Sequence, residues 1–214
     1  MTLPVSASLE RVRAALAPLD APPSLVGPWA EVEPRLGAVM LLLYPRAEEV
    51  HFLLERRPSD VPEHAGQISL PGGGFRAADG SFLATAQRET FEELGIAAER
   101  YEVWGRLEPI RISVSNFVVV PFVGFAPHPP SLRPDTREVA DVLEVPLRAL
   151  VDPTSLLEEV WEIRGSRRRV AFFLHGEHKI WGATARVLGQ VSAALREGPQ
   201  PDGAPEPGAV LPWP

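Results

Sequence analysis

Apolar positions change period several times along the chain, and each change marks an element. Leu9, Val12, Ala15 and Leu16 recur at helical spacing and predict an amphipathic helix over residues 5–18. A proline-rich stretch follows, from Pro22-Pro23 through Pro28 to Pro34. Residues 37–44 form a continuous apolar run of strand length, and residues 49–55 a second strand, joined by a short polar turn at 45–48. Pro58, Pro62, Pro71 and a glycine cluster make residues 58–80 loop-like. Helical spacing returns over residues 81–94, with Ser81 as N-cap just after Asp79 and Gly95 where a C-terminal cap belongs. Strands are predicted over 101–112 and 116–125, the second so apolar that both its faces should be covered. After a proline-rich loop at 127–136 come a short strand at 142–145 and a helical turn at 147–150. A hairpin about Gly165-Ser166 then joins strands 156–163 and 169–175, ahead of a last helix at 184–195. Residues 198–214 are a tail rich in proline and glycine. Strands around a central helix, closed by a C-terminal helix and without internal repeats, predict one mixed α/β sandwich domain over residues 1–197, its core at about 36–196.

Composition narrows the function. A length of 214 residues suits one domain, and 45% hydrophobic residues with a mean hydropathy of −0.01 supply a core. A net charge of −7 leaves no basic surplus for neutralising phosphates in bulk, so neither nucleic acid nor an anionic membrane is an expected partner. The absence of cysteine excludes disulfides, zinc–thiolate centres and thiol nucleophiles. The first residues lack a basic region followed by an apolar core, and no apolar run reaches membrane-spanning length, so a cytoplasmic protein is expected.

The chemistry concentrates in Arg88-Glu89-Thr90-Phe91-Glu92-Glu93-Leu94-Gly95-Ile96. At about 100° per residue, Glu89, Glu92 and Glu93 fall within roughly a 100° arc of one helix. Leu83, Ala86, Thr90 and Leu94 form the packing side, so one face is expected to pack and the other to present charge. Like charges one turn apart cost about 0.2–0.5 kcal/mol per pair. A hard divalent cation with oxygen ligands, Mg²⁺ or Mn²⁺, would offset that cost. Pro71-Gly72-Gly73-Gly74 lies just upstream, and a glycine loop leading into an acidic helix points to metal-assisted chemistry on a phosphate. No Gly-Lys-Ser/Thr follows the glycines, so this is not a P-loop. Phe75, Phe82 and Phe91 read as packing residues.

These residues resemble the box of the Nudix hydrolases, G-x5-E-x7-R-E-U-x-E-E-x-G-U with U aliphatic. Arg88, Glu89, Glu92, Glu93, Gly95 and Ile96 match its second half, and Thr90 stands where an aliphatic residue is usual. In the first half, counting back from Arg88 places the first acid on Gly80; Asp79 is one residue earlier, so Gly73-x5-Asp79 keeps the loop spacing. Upstream, Leu53-Leu54-Glu55-Arg56-Arg57-Pro58 and Val61-Pro62-Glu63-His64-Ala65-Gly66-Gln67-Ile68-Ser69-Leu70-Pro71-Gly72-Gly73 resemble the pattern of the coenzyme A pyrophosphatase subgroup. Arg57, His64, Gly66, Gln67, Pro71, Gly72 and Gly73 agree; Glu55, Pro58, Pro62 and Leu70 depart. Residues 180–186 also resemble that subgroup.

The resemblance implies an α/β/α sandwich with a mixed central sheet and a metal-dependent diphosphatase acting on coenzyme A or its thioesters. It implies Glu89, Glu92 and Glu93 as ligands of Mg²⁺ or Mn²⁺, with the Gly73 carbonyl as a further donor. Glu89 and Glu92 join the catalytic set, Glu89 as a candidate base oriented by Arg88. A further acid from a distant loop is expected; Glu138 is the candidate and Glu144 the rival. Arg57, His64, Gln67 and Arg76 are candidate contacts for a small phosphorylated substrate. Alternatives are a Nudix enzyme for ADP-ribose, a dinucleotide or a damaged nucleotide, and a nucleotide sensor without turnover.

Overall fold

The computed structural model describes residues 5–20, 23, 33–60, 65–163 and 165–197. It opens with helix α1 (Val5–Ala14). The helix stops short of the expected residue 18 because Pro18 disfavours helical geometry at Ala17. Ala17 is extended instead, and bridges to Arg106.

The two apolar runs become adjacent central strands. β1 (Arg35–Arg46) and β7 (Phe117–Phe125) pair in parallel, from Arg35 opposite Phe117 to Leu43 opposite Phe125. β2 (Glu49–Arg56) folds back antiparallel on β1 through a turn at Ala47 and Glu48, both at positive φ. Two successive positive-φ residues suit the right-handed twist of a tight hairpin. β3 (Ile68–Ser69) and β8 (Asp141–Pro146) pair with β2, while β5 (Glu102–Arg106) and β6 (Ile110–Ile112) pair with β7. The glycine cluster corrects the loop expected over 58–80. Gly72–Gly74 is itself a short strand, β4, antiparallel to β1 at Val39, Ala38 and Gly37. One parallel ladder among antiparallel ones makes the sheet mixed.

Alternation along the strands sorts two cores. Met40, Leu42, Tyr44, Leu53, Val120 and Phe122 face helix α2 (Phe82–Leu94). Leu41, Leu43, Phe52, Leu54 and Val123 face the other way, toward helix α3 (Gly182–Glu197) and α1. Helices on both faces give the expected α/β/α layering of a mixed sheet. The hairpin of β9 (Leu156–Ile163) and β10 (Ser166–His175) carries a third strand the periodicity did not mark, β11 (His178–Ile180). Among the described residues no helix is long and apolar enough to cross a membrane. The tail at 198–214 lies outside the described residues.

Candidate functional site

α2 carries the site, and its ends are fixed as its sequence requires. The Ser81 side chain accepts a hydrogen bond from the Ala84 N–H at 3.1 Å. Gly95 closes the helix in the left-handed region, φ 72°, and a Cβ there would approach the Arg133 side chain to 2.7 Å.

The acids do not all share a charged outer face. Glu89 is 7% exposed and Glu93 2%, both turned inward beside Ala86 and Leu94, whereas Glu92 is exposed. The buried helix surface therefore includes two carboxylates. Thr90 is also buried, and its hydroxyl donates to the Ala86 carbonyl at 2.7 Å, which satisfies a polar group where an aliphatic one is usual. Phe75 and Phe82 do pack together, with centroids 5.2 Å apart, but Phe91 is 57% exposed and corrects the packing role expected of it. It lies half a turn away from Glu89 and Glu93.

The glycines let the carboxylates reach the sheet. A Cβ on Gly73 would stand 2.5 Å from Glu89 Oε1, so any other residue would displace that carboxylate. A Cβ on Gly72 would stand 2.4 Å from the Ala38 carbonyl, and the Gly72 N–H donates to Glu93 Oε2 at 2.8 Å. The Gly73 carbonyl lies against Gly37 on β1, and the Gly74 carbonyl accepts from Arg88 at 3.2 Å.

Arg88 ties the layers together and uses all five of its donors. Nε and Nη2 grip Asp79 at 2.8 and 3.1 Å, Nη1 reaches Glu89 at 2.7 Å and Glu92 at 2.9 Å, and Nη2 also meets Gly74. Asp79 accepts further bonds from the Thr85 hydroxyl at 2.7 Å and the Arg76 N–H at 3.0 Å. The Arg88 hydrogen bonds hold the Asp79 carboxyl well below the usual carboxylate range. The shifted first acid of the box is thus the residue that anchors the arginine.

One site residue was visible only as a departure from the upstream pattern. Glu55 follows Leu53 by two positions on β2, so alternation turns it toward α2. It is 1% exposed; Oε1 accepts from the Ser69 hydroxyl at 3.3 Å, and Oε2 is buried without a hydrogen-bond partner. Burial, foremost, pushes the Glu55 carboxyl above its ordinary range, with Glu138 adding to it. Burial likewise raises Glu93, followed by the charge of Glu55 and then those of Glu89 and Glu138. In low dielectric a carboxylate favours its neutral form unless a cation or a shared proton compensates.

Of the two loop acids, Glu138 is exposed yet close enough to raise both Glu55 and Glu93. Glu144 is engaged elsewhere: it accepts from the Tyr44 hydroxyl at 2.6 Å and pairs with Arg46. Arg57 lies near enough to lower the cost of charge on Glu55, and its N–H donates to the Gln67 carbonyl at 2.9 Å. Arg76 is exposed and pairs with Glu92 at 3.6 Å, at the outer rim of the Arg88 network. His64 lies outside the described residues.

Among the described residues no three carboxylate or imidazole groups converge on a single point. Arg88 and the Gly72 N–H occupy oxygens that would otherwise turn inward. The donor set nonetheless suits Mg²⁺ or Mn²⁺. It is all hard oxygen, Glu55, Glu89 and Glu93 are buried, and it includes one unsatisfied carboxylate oxygen.

A glycine strand facing a helix of buried carboxylates suits metal-assisted chemistry on a phosphate anhydride, and sequence comparison points the same way. The NUDIX domain family model matches residues 34–169, and the chain belongs to the Nudix hydrolase family. Nudix hydrolases act on diphosphate bonds and generally use divalent cations such as Mg²⁺ or Mn²⁺. The chain is 38% identical over 144 residues to an uncharacterized Nudix hydrolase, NudL, of Photorhabdus laumondii, covering 67% of this chain and 76% of that one. It is 41% identical over 127 residues to a human mitochondrial coenzyme A diphosphatase, covering 58% of this chain and 53% of the relative. A MutT/nudix family protein from Enterococcus faecalis has the same fold, with a TM-score of 0.53 at 18% identity over 82% of this chain and 68% of that one.

Proposed function

We propose that this enzyme hydrolyses the diphosphate of coenzyme A or its thioesters, giving 3′,5′-adenosine bisphosphate and 4′-phosphopantetheine or its acyl derivative. The observation that carries the substrate is a continuity. Arg57, Gly66, Gln67 and Pro71-Gly72-Gly73 keep the upstream subgroup pattern; Arg57 follows β2, its backbone is bonded to Gln67, and Gly72-Gly73 belong to the strand that touches Glu89 and Glu93. The human relative named as a coenzyme A diphosphatase supports the same substrate.

Glu89, Glu93 and Glu92 would hold the cation, which supplies charge neutralisation of the diphosphate and a more acidic attacking water. Arg88 fixes Glu89 from one side while Gly73 leaves room on the other, so that carboxylate is positioned before substrate arrives. Glu138, exposed at the rim beside Glu55 and Glu93, accepts the proton from water as its oxygen bonds to phosphorus and the P–O–P bridge breaks. Arg57 and Gln67 stand at the β2 side of the site, and Arg76 at the rim, as contacts for the substrate's phosphates.

The test is incubation with Mg²⁺ and coenzyme A, with products resolved by chromatography. Two phosphorylated products of the stated identities are expected. Turnover of ADP-ribose or a dinucleotide without turnover of coenzyme A moves the assignment to another Nudix substrate. Tight nucleotide binding without turnover of any diphosphate makes the chain a sensor.

A further inference from the structure

We propose that Glu55, on the central sheet and outside the box that carries the other acids, is a further ligand for the divalent cation, offering Oε2 beside Glu93. The inference rests on the metal-dependent reading above and adds a residue to it. Three observations converge. Strand alternation puts Glu55 on the α2 side of β2, behind Leu53. Its side chain is 99% buried, yet Oε2 has no hydrogen-bond partner, an arrangement that costs free energy unless something fills it. Ser69 serves Oε1, Arg57 acts as a nearby charge rather than a hydrogen-bonded partner, and the Glu93 carboxyl, within hydrogen-bonding reach, can fill the place only by sharing a proton that a cation would replace.

Glu55 and Glu93 approach from opposite layers, one on the sheet and one on the helix. The Gly72 N–H holds Glu93 in place between them. A cation held by both would tie α2 to β2 beside the apolar contacts that Leu53 makes with that layer. The other acid of this neighbourhood, Glu138, is exposed on a loop, and its charge is felt by both.

Cation binding is measured on the full chain without substrate. Mn²⁺ is titrated and the free ion followed by electron paramagnetic resonance, with the melting temperature recorded at each step. The wild type should bind Mn²⁺ and gain melting temperature as it does so. Glu55→Gln, matched in shape, should weaken Mn²⁺ by about tenfold or more and lose most of the metal-induced shift. Glu55→Thr, which removes the carboxylate altogether and suits a strand, should behave alike, so misfolding of either variant does not shelter the idea. Unchanged affinity and an unchanged shift in a folded Glu55 variant, while Glu93→Gln does lose the metal, overturns this inference alone. A wild type that binds no Mn²⁺ overturns both it and the metal-dependent reading.

Discussion

The two faces of the sheet are covered by helices that bury about the same kind of stripe with opposite chemistry. α3 buries Ala185, Val187, Leu188, Val191 and Leu195, and its one buried hydroxyl, Ser192, is satisfied by the Leu150 carbonyl. α2 buries Thr85, Ala86, Glu89, Thr90, Glu93 and Leu94. On the α3 side burial is stabilising almost residue by residue, at about 1.5–3 kcal/mol for a large aliphatic side chain. On the α2 side two of the buried groups oppose folding when charged, and a five-bonded arginine and a glycine strand hold them there. Both faces carry an apolar core, and among the described residues only the α2 face adds buried carboxylates of the candidate site to it. The sheet that separates them lets each be altered alone.

The largest expected effect breaks that separation from the reactive side. Glu93→Gln should lower turnover by more than the 10–100-fold that loss of an outer-sphere partner typically costs, because on the proposed reading a ligand itself would go. The same change should raise the melting temperature of the metal-free protein, since a neutral amide replaces a buried acid. Steady-state kinetics and thermal melts on one preparation check both. Loss of activity together with loss of stability would mean that Glu93 is a core residue first. The mirror experiment is Leu188→Ala on α3, a fully buried side chain. It should cost about 2–5 kcal/mol of stability and leave kcat per folded molecule within about twofold. A kcat that falls with the stability would show that the two faces are coupled.

Stability against pH sharpens the same contrast at smaller scale. Glu55 and Glu93 have folded-state values raised above the ordinary 4.5, so their neutral forms favour the fold. Their contribution is complete below about pH 4.5 and is lost as pH climbs toward the raised values. Asp79 is displaced downward from 3.8; its contribution is present above that value and disappears as pH falls below it. Between about pH 5 and 8, in chelator, the wild type should therefore lose melting temperature relative to Glu93→Gln, and Mg²⁺ should restore it. Parallel curves for the two proteins would remove the carboxylate pair as the cause.

Much of this was legible in the residues. The apolar runs of β1 and β7 are long enough that only strands covered on both faces fit them, and Ser81 and Gly95 fix the ends of α2 by local chemistry alone. The glycine strand was not legible, because glycine has low strand propensity and its partners on β1 lie more than thirty residues away. The inward turn of Glu89 and Glu93 was hidden for a related reason: helical spacing gives the angle between side chains and not which angle meets the sheet. Glu55 could have been found. It continues the Leu53 face of β2, but an acid in a strand ordinarily marks the solvent side, and only α2 overhead makes that face an interior.

The smallest expected effect separates the two loop acids. Glu138 and Glu144 are both glutamates near β8, and the resemblance made Glu138 the candidate and Glu144 the rival. Glu144, on β8 opposite Leu53 of β2, is held by Arg46 and the Tyr44 hydroxyl. Those bonds, led by Arg46, draw its carboxyl below the ordinary range against the pull of burial. Glu144→Gln keeps an acceptor for Tyr44 and loses only a half-exposed ion pair, a type worth about 0–1 kcal/mol. Its kcat and KM should stay within about twofold of the wild type, while Glu138→Gln lowers kcat by about 10²-fold or more, the range of a positioned proton acceptor. Reversal of that order, with Glu144→Gln the slower enzyme, would place the proton acceptor on the strand and leave Glu138 as a surface charge.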